Sequence, residues 1–199
     1  FRKAESRNRL RDFLAKDYSS GKKPVVGVRL NRIFSTEFEK DIFLLRQIRK
    51  TVVWQSIFLP KISDYGEIKK CISILTENGI AFEEVIPIIE TRAGFSNLHH
   101  LFSRKPSLEI KRVAWGSHDF NLDSGIWPFE DVISPNHWER VKELVGVLNN
   151  KGYEYVNSPM LELNNKEFGC AMLDHLDRIC HKDFSQVALS YQQVLNFTS

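Results

Sequence analysis

The chain lacks a glycine-rich phosphate loop. Neither GxGxxG nor GxxxxGK[ST] occurs in its 199 residues, which removes the main support for a dinucleotide-binding or P-loop protein. Cysteine is scarce: Cys71, Cys170 and Cys180 are an odd number with no CxxC pair, the usage expected of reduced structural thiols in a cytoplasmic protein. No apolar run approaches the roughly 18 residues that a membrane span needs, and no secretory signal opens the chain. Net charge is also small. A formal +3 with scattered Lys and Arg is no nucleic-acid footprint. Neither nucleic acid nor a membrane is therefore expected as a partner, and the cytoplasm is the expected location.

What remains is an ordinary globular composition, 42% hydrophobic and 27% charged, long enough to bury a real core and most simply one domain over 1–199. The chain opens on Phe1, directly in a charged helical segment. The expectation is that something upstream has been processed or lies outside this numbering.

Apolar periodicity gives an alternation of helix and strand. Residues 1–18 place Leu10, Phe13 and Leu14 at helical spacing, closed by Ser19-Ser20-Gly21. Residues 24–31 form a buried strand with polar residues at its end. A helix over 36–50, capped by Ser35, carries Phe38, Ile42, Leu45 and Ile48. A strand over 53–59 and a helix from Ser63 or Asp64 to Asn78-Gly79 repeat the unit. Then come a strand over 82–89, a short helix over 95–102 and a strand from Val113 ending on Asp119. A Gly/Trp/Pro-rich loop over 121–135 leads to a helix over 136–149, a strand over 153–156, a helix over 165–180 and a last strand over 186–189. Six strands joined by helices are the pattern of a parallel α/β sheet. A TIM (β/α)8 barrel normally has eight strands and about 250 residues, so six strands after an opening helix read as a barrel whose first two strands are absent.

Open α/β sheets and barrels keep their chemistry at the carboxyl ends of the strands. Here those ends supply Arg29, Asn31, Lys61, Glu90, Asp119 and, less distinctly, Asn157-Ser158. Glu90 follows the apolar run Val85-Ile86-Pro87-Ile88-Ile89, and Asp119 follows Val113-Ala114-Trp115-Gly116. Two carboxylates at neighbouring strand ends suit Mg2+ or Mn2+, hard cations that take oxygen ligands and complete their shell with water and substrate. Arg29 offers a fixed cationic fork for a carboxylate or a developing oxyanion. A charged residue at a strand end is more often a solvated terminus, and only the joint placement favours a site.

Four segments carry a resemblance. Val28-Arg29-Leu30-Asn31, Leu59-Pro60-Lys61, Ile88-Ile89-Glu90-Thr91 with Gly94 and Asn97, and Trp115-Gly116-Ser117-His118-Asp119-Phe120 followed by Asp123-Ser124-Gly125 resemble, in order, the VRvN, LPK, IET-x-x-G-x-x-N and fG-x-x-Dy…DlG motifs of one family. It is the citrate lyase β-subunit, malyl-CoA lyase and hydroxyketoacid aldolase family of PEP/pyruvate-binding barrels. The resemblance implies a TIM barrel holding Mg2+ (or Mn2+) through Glu90 and Asp119. Arg29 would be the catalytic cation, with Arg29, Asn31 and Lys61 contacting substrate. The implied reaction is reversible C–C cleavage of a 2-oxo or hydroxy acid, or its CoA thioester, through a metal-stabilised enolate. The implied partners are a small-molecule carboxylic acid and further copies of the chain in a homo-oligomer.

The sequence also departs from that family. Segment 183–193 stands where many members carry GF-x-GK…IHP-x-Q, and only Phe184 and Gln193 agree. This argues against CoA-thioester chemistry and keeps a second reading open, a barrel that has lost catalysis and serves as a binding or accessory protein. His99 and His100 lie on a helix beyond Glu90, while His118 beside Asp119 is an acid/base candidate only if the strand has ended before it. His137, His175 and His181 complete the six histidines. Trp115 and Trp127 read as packing residues, Glu83-Glu84 as structural, and Asp123 as either a site residue or a cap.

Overall fold

A computed structural model of the chain describes residues 2–14, 26–50, 52–127, 134–162, 165–180 and 184–198. Six strands form one all-parallel sheet in the order β1-β2-β3-β4-β5-β6: β1 Gly27–Arg29, β2 Trp54–Leu59, β3 Phe82–Ile89, β4 Arg112–Trp115, β5 Glu154–Asn157 and β6 Phe184–Gln186. Each strand pairs with its sequence neighbour and none is skipped. The sheet therefore winds in one direction and curls into an incomplete barrel, where a doubly wound sheet would reverse its order. The expected α/β class and barrel architecture hold.

Successive strand residues point to opposite faces, and the packing divides by that rule. Val85 and Ile89 of β3, Ile57 and Leu59 of β2, and Val113 and Trp115 of β4 join one large core beneath the helices. Ile86, Ile88, Ala114 and Val156, with Phe58 and Val187 against them, form a small separate cluster on the inner face. Glu84 and Glu90 share the parity of Ile86 and Ile88. One carboxylate therefore lies on the inner face at each end of β3.

Local chemistry sets the helix ends. Helix α2, Thr36–Ile48, is capped by the Ser35 hydroxyl. Helix α3, Tyr65–Glu77, has a reciprocal capping box between Asp64 and Glu67. Helix α1, Arg2–Leu14, buries no residue fully; Leu10 and Leu14 pack against the core but Phe13 is exposed. It is tied to α2 by Arg7, whose guanidinium reaches Glu37 at 2.7 Å and Asp41 at 2.8 Å.

Several boundaries differ from the sequence expectation. The turn at Ser19-Ser20-Gly21, part of the 121–135 loop and His181 fall outside the described residues. The helix expected over 95–102 is two short ones, α4 Arg92–Ser96 and α5 Leu98–Leu101, meeting at Asn97. Asp119 does not end a strand. Strand β4 stops at Trp115, Gly116 turns the chain, and Asp119 lies in the first turn of α6, Ser117–Asp123. Downstream, α7 is Pro135–Lys151 and α8 is Lys166–Ile179. The last strand is Phe184–Gln186 rather than 186–189, because the Gln186 side chain donates to the carbonyls of Ser158 and Val187 where the ladder ends. Helix α9, Tyr191–Thr198, follows where no element was expected.

Candidate metal and substrate site

Glu90 follows β3 directly and is 3% exposed. Its Oε1 accepts the backbone N–H of Lys61 at 3.0 Å, and that peptide is presented by a turn in which Lys61 has φ +58°. A non-glycine residue in the left-handed region stores local strain of the kind often found at functional sites. The turn is held from outside. Gly94 packs so closely that an added Cβ would lie 2.3 Å from the Ile62 carbonyl oxygen, and Asn97 Nδ2 donates to the Ser63 carbonyl at 3.0 Å.

Asp119 enters from α6, where the unpaired N–H groups of the first turn favour a carboxylate. One nitrogen of Arg29, Nη2, lies 3.5 Å from Glu90 Oε1 and 3.7 Å from Asp119 Oδ2, and Lys61 Nζ lies 3.8 Å from Asp119 Oδ2. Arg29, Lys61, Glu90 and Asp119 are thus brought together, from three strand ends and one helix. Burial pushes the Glu90 carboxyl up to about 7; Arg29 and Lys61 pull it down, while the charge and hydrogen bonding of Asp119 push it further up. Burial likewise lowers His118, against an upward pull from neighbouring Asp119.

Asn31 lines the cavity beside Arg29 and Lys61 and is held there by Asp41. Its backbone N–H and side-chain amide both donate to Asp41 Oδ2, at 2.7 and 2.8 Å, which places it in the Arg7–Asp41 network between α1 and α2. Asp123 caps a neighbouring element, its Oδ2 accepting the Arg92 N–H at 2.7 Å. Ser158 Oγ accepts from Ser117 N–H and donates to the Trp115 carbonyl, fixing the start of α6 against β5. Asn157 donates to Gln186 across β5 and β6. Trp115 is buried against Phe95 and Phe120, and Trp127, on the loop, is 70% exposed. His99 and His100 are exposed on α5, whereas His137 is buried on α7 with its ring against Trp138.

Sequence reading did not identify Gly116 as part of the site. Its only signal was membership in the Trp-Gly-Ser-His-Asp-Phe segment, and no spacing rule says that a glycine there faces Glu90. An added Cβ at Gly116 would lie 2.5 Å from Glu90 Cβ and 2.7 Å from Oε2.

A cavity of about 630 Å3 adjoins the site. Arg29, Asn31 and Arg32 line it from β1 and the residues after it, Lys61 from the end of β2, with Leu10 and Leu44 contributing apolar walls.

The motifs imply a divalent cation. No cluster of three or more His, Cys, Asp or Glu occurs among the described residues, so a closed all-protein cage of such ligands is not what these residues build. Mg2+ does not need one; it is commonly held by one or two carboxylates plus water and substrate. The two carboxylates lie close enough to raise Glu90, and both Arg29 and Lys61 stand off at 3.5 Å or more. Arg29 and Lys61 match the two carboxylates in charge, and the oxygen donors fit a hard cation that takes further ligands from water and substrate.

The fold and its two carboxylates, Glu90 at a strand end and Asp119 in the first turn of α6, define a class, the incomplete (β/α) barrel with an acidic pair at its C-terminal face. Solved structures share that fold. RipC from Yersinia pestis superposes with a TM-score of 0.74 at 14% identity, over 99% of this chain and 80% of that one. The citrate lyase β subunit from M. tuberculosis, complexed with oxaloacetate and magnesium, gives 0.70 at 16% identity over 98% and 78%. A citrate lyase from Burkholderia xenovorans LB400 gives 0.78 at 18% identity over 98% and 63%. The citrate lyase neighbours carry the name of the family that the four motifs resemble. The mycobacterial protein also has structures with magnesium and pyruvate, acetoacetate or acetate. No protein-family model matches the chain, and no curated protein matches it.

Proposed function

We propose that the chain is a Mg2+-dependent carbon–carbon lyase or aldolase acting on a small 2-oxo or hydroxy acid. One observation carries this reading: Glu90, Asp119, Arg29 and Lys61 converge at the C-terminal face of the sheet. Glu90 and Asp119 would hold the ion. When bound, it would supply Lewis-acid polarisation of the substrate oxygen on which negative charge develops as the C–C bond breaks. Arg29, with its side chain 56% exposed, presents guanidinium donors to the substrate carboxylate or to that oxygen. Lys61 presents its ammonium on the other side of Asp119 and restrains Glu90 through its peptide N–H. Burial of Glu90 keeps water from one side of the pair. The acids bound by the mycobacterial neighbour, oxaloacetate, pyruvate and acetoacetate, supply the first substrate class to try.

A thermal-shift titration with Mg2+ and either oxaloacetate or pyruvate tests the site. The wild type should be stabilised by the pair together and Glu90→Ala should not. No shift in the wild type, or an undiminished one in Glu90→Ala, overturns the metal-carboxylate reading.

A second reading, binding without turnover, is favoured by Gln193. This residue of the family-like C-terminal segment is 1% exposed and donates to the Met160 and Glu162 carbonyls, while its oxygen accepts the Leu189 N–H. It closes the backbone rather than the site. Exchange of pyruvate methyl protons into deuterated water, followed by NMR, separates the readings. Enzyme and Mg2+ accelerate exchange in a lyase, and a binding protein shows the thermal shift alone.

A further inference from the structure

We propose that Gly116 is a positioning residue for Glu90, and that its missing side chain sets where the carboxylate can lie. The inference rests on the proposed cation site and deepens it. Glu90 crosses toward β4 directly over Gly116, whose own N–H donates to the Ile89 carbonyl at 2.9 Å. A Cβ at 116 would meet Glu90 Cβ at 2.5 Å, Glu90 Oε2 at 2.7 Å and Ile88 Cγ2 at 3.2 Å. Two of these three contacts are with the carboxylate residue itself, so the space that glycine leaves is the space that Glu90 fills.

The other carboxylate oxygen is held from the opposite side. Oε1 accepts the Lys61 N–H at 3.0 Å, from a turn pinned by the close approach of Gly94 to the Ile62 carbonyl and by the Asn97–Ser63 hydrogen bond. Gly116 and the Lys61 peptide therefore clamp one side chain. The clamp also accounts for the distances at the site. It holds Oε1 3.5 Å from Arg29 Nη2, the same nitrogen that lies 3.7 Å from Asp119 Oδ2. A methyl group at 116 displaces the carboxylate from the Lys61 N–H, from Asp119, or from both.

A double-mutant cycle tests this, with variants Gly116→Ala, Glu90→Gly and the double variant, read by Tm in EDTA and by Mn2+ binding followed by electron paramagnetic resonance. Gly116→Ala should lower the Tm by roughly 3–10 °C, the range expected for overpacking a tight site. Adding Gly116→Ala to Glu90→Gly should cost much less, because the two closest atoms it would strike belong to Glu90 and only Ile88 Cγ2, at 3.2 Å, remains. Mn2+ binding by Gly116→Ala should weaken about 10- to 100-fold, as when a support of a metal ligand is removed. If Gly116→Ala alone does not fold, recovery of the fold in the double variant is the predicted result. An equal Tm loss in both backgrounds assigns Gly116 to the strand alone and overturns the proposal. Wild-type Mn2+ affinity in Gly116→Ala also overturns it. Absence of Mn2+ binding by the wild type defeats the cation site instead, and the EDTA melting cycle still decides the role of Gly116.

Discussion

The inner face of β3 carries a glutamate near each end, and the two have opposite surroundings. Near the amino end, Glu84 is 5% exposed and takes a direct ion pair from Arg112, with Ser56 Oγ donating at 2.9 Å and Arg112 Nε at 3.1 Å. Burial raises its carboxyl, but the hydrogen bonds from Arg112 and Ser56 and the charge of Arg112 outweigh that and hold it below the ordinary range. At the carboxyl end, Glu90 is equally buried, yet its cations stand back and a second carboxylate faces it. The same side chain on the same strand face is hydrogen-bonded directly by its own cation at one end, and at the other it shares more distant cations with a second carboxylate. In a barrel the first is the stabilising end and the second the chemical one.

Breaking the Glu84 end should give the largest effect. Arg112→Met leaves Glu84 buried without its cation and should cost about 3–5 kcal/mol in urea unfolding. Arg29→Met at the other end should cost no more than about 1 kcal/mol, because the Arg29 side chain is more than half exposed and its contacts are long. Equal losses would erase the contrast between the two ends.

The next effect is in pH. The folded Glu90 keeps its proton up to about 7, whereas the unfolded carboxyl loses it near 4.5. Between those values the folded chain binds more protons, so stability falls as pH rises, by about 2–3 kcal/mol from this group in EDTA. Glu84 acts in reverse: with its carboxyl lowered, its contribution is present above the unfolded value and is lost as pH falls through the folded one. Glu90→Gln should abolish the decline between pH 4.5 and 7 while leaving the acid limb. A decline unchanged in Glu90→Gln would show that another group carries it.

The smallest effect concerns the loops that frame the site. Asp123→Ala removes the acceptor of the Arg92 N–H and should cost about 1 kcal/mol, the usual value of a lost cap. Its signature is faster amide exchange at Arg92, with exchange at Ile86 unchanged.

The two ends also differ in how readily the sequence discloses them. Glu90 was legible because an apolar run that stops on a carboxylate is visible in one dimension, and Arg29 and Lys61 end their own strands in the same way. Asp119 was found for a partly wrong reason: the apolar run through Trp115 and Gly116 masks the turn into α6. Glu84 was read as structural, but its partner Arg112 lies 28 residues away on the next strand, and no local period links them. Asn31 shows a partner the sequence did not announce. It lines the same cavity as Arg29 and Lys61, and its N–H groups donate to Asp41, which Arg7 of α1 also holds. Contacts that cross elements are set by sheet register, and neither composition nor spacing encodes which neighbour arrives.

The central claim is that the Glu90 end of β3 binds a cation and the Glu84 end does not. Mn2+ titration followed by electron paramagnetic resonance tests it most directly, on the wild type, on Glu90→Gln and on the double variant Glu84→Gln/Arg112→Met. The account predicts one bound Mn2+ in the wild type, its loss in Glu90→Gln and its retention in the double variant. Wild-type affinity in Glu90→Gln would contradict it.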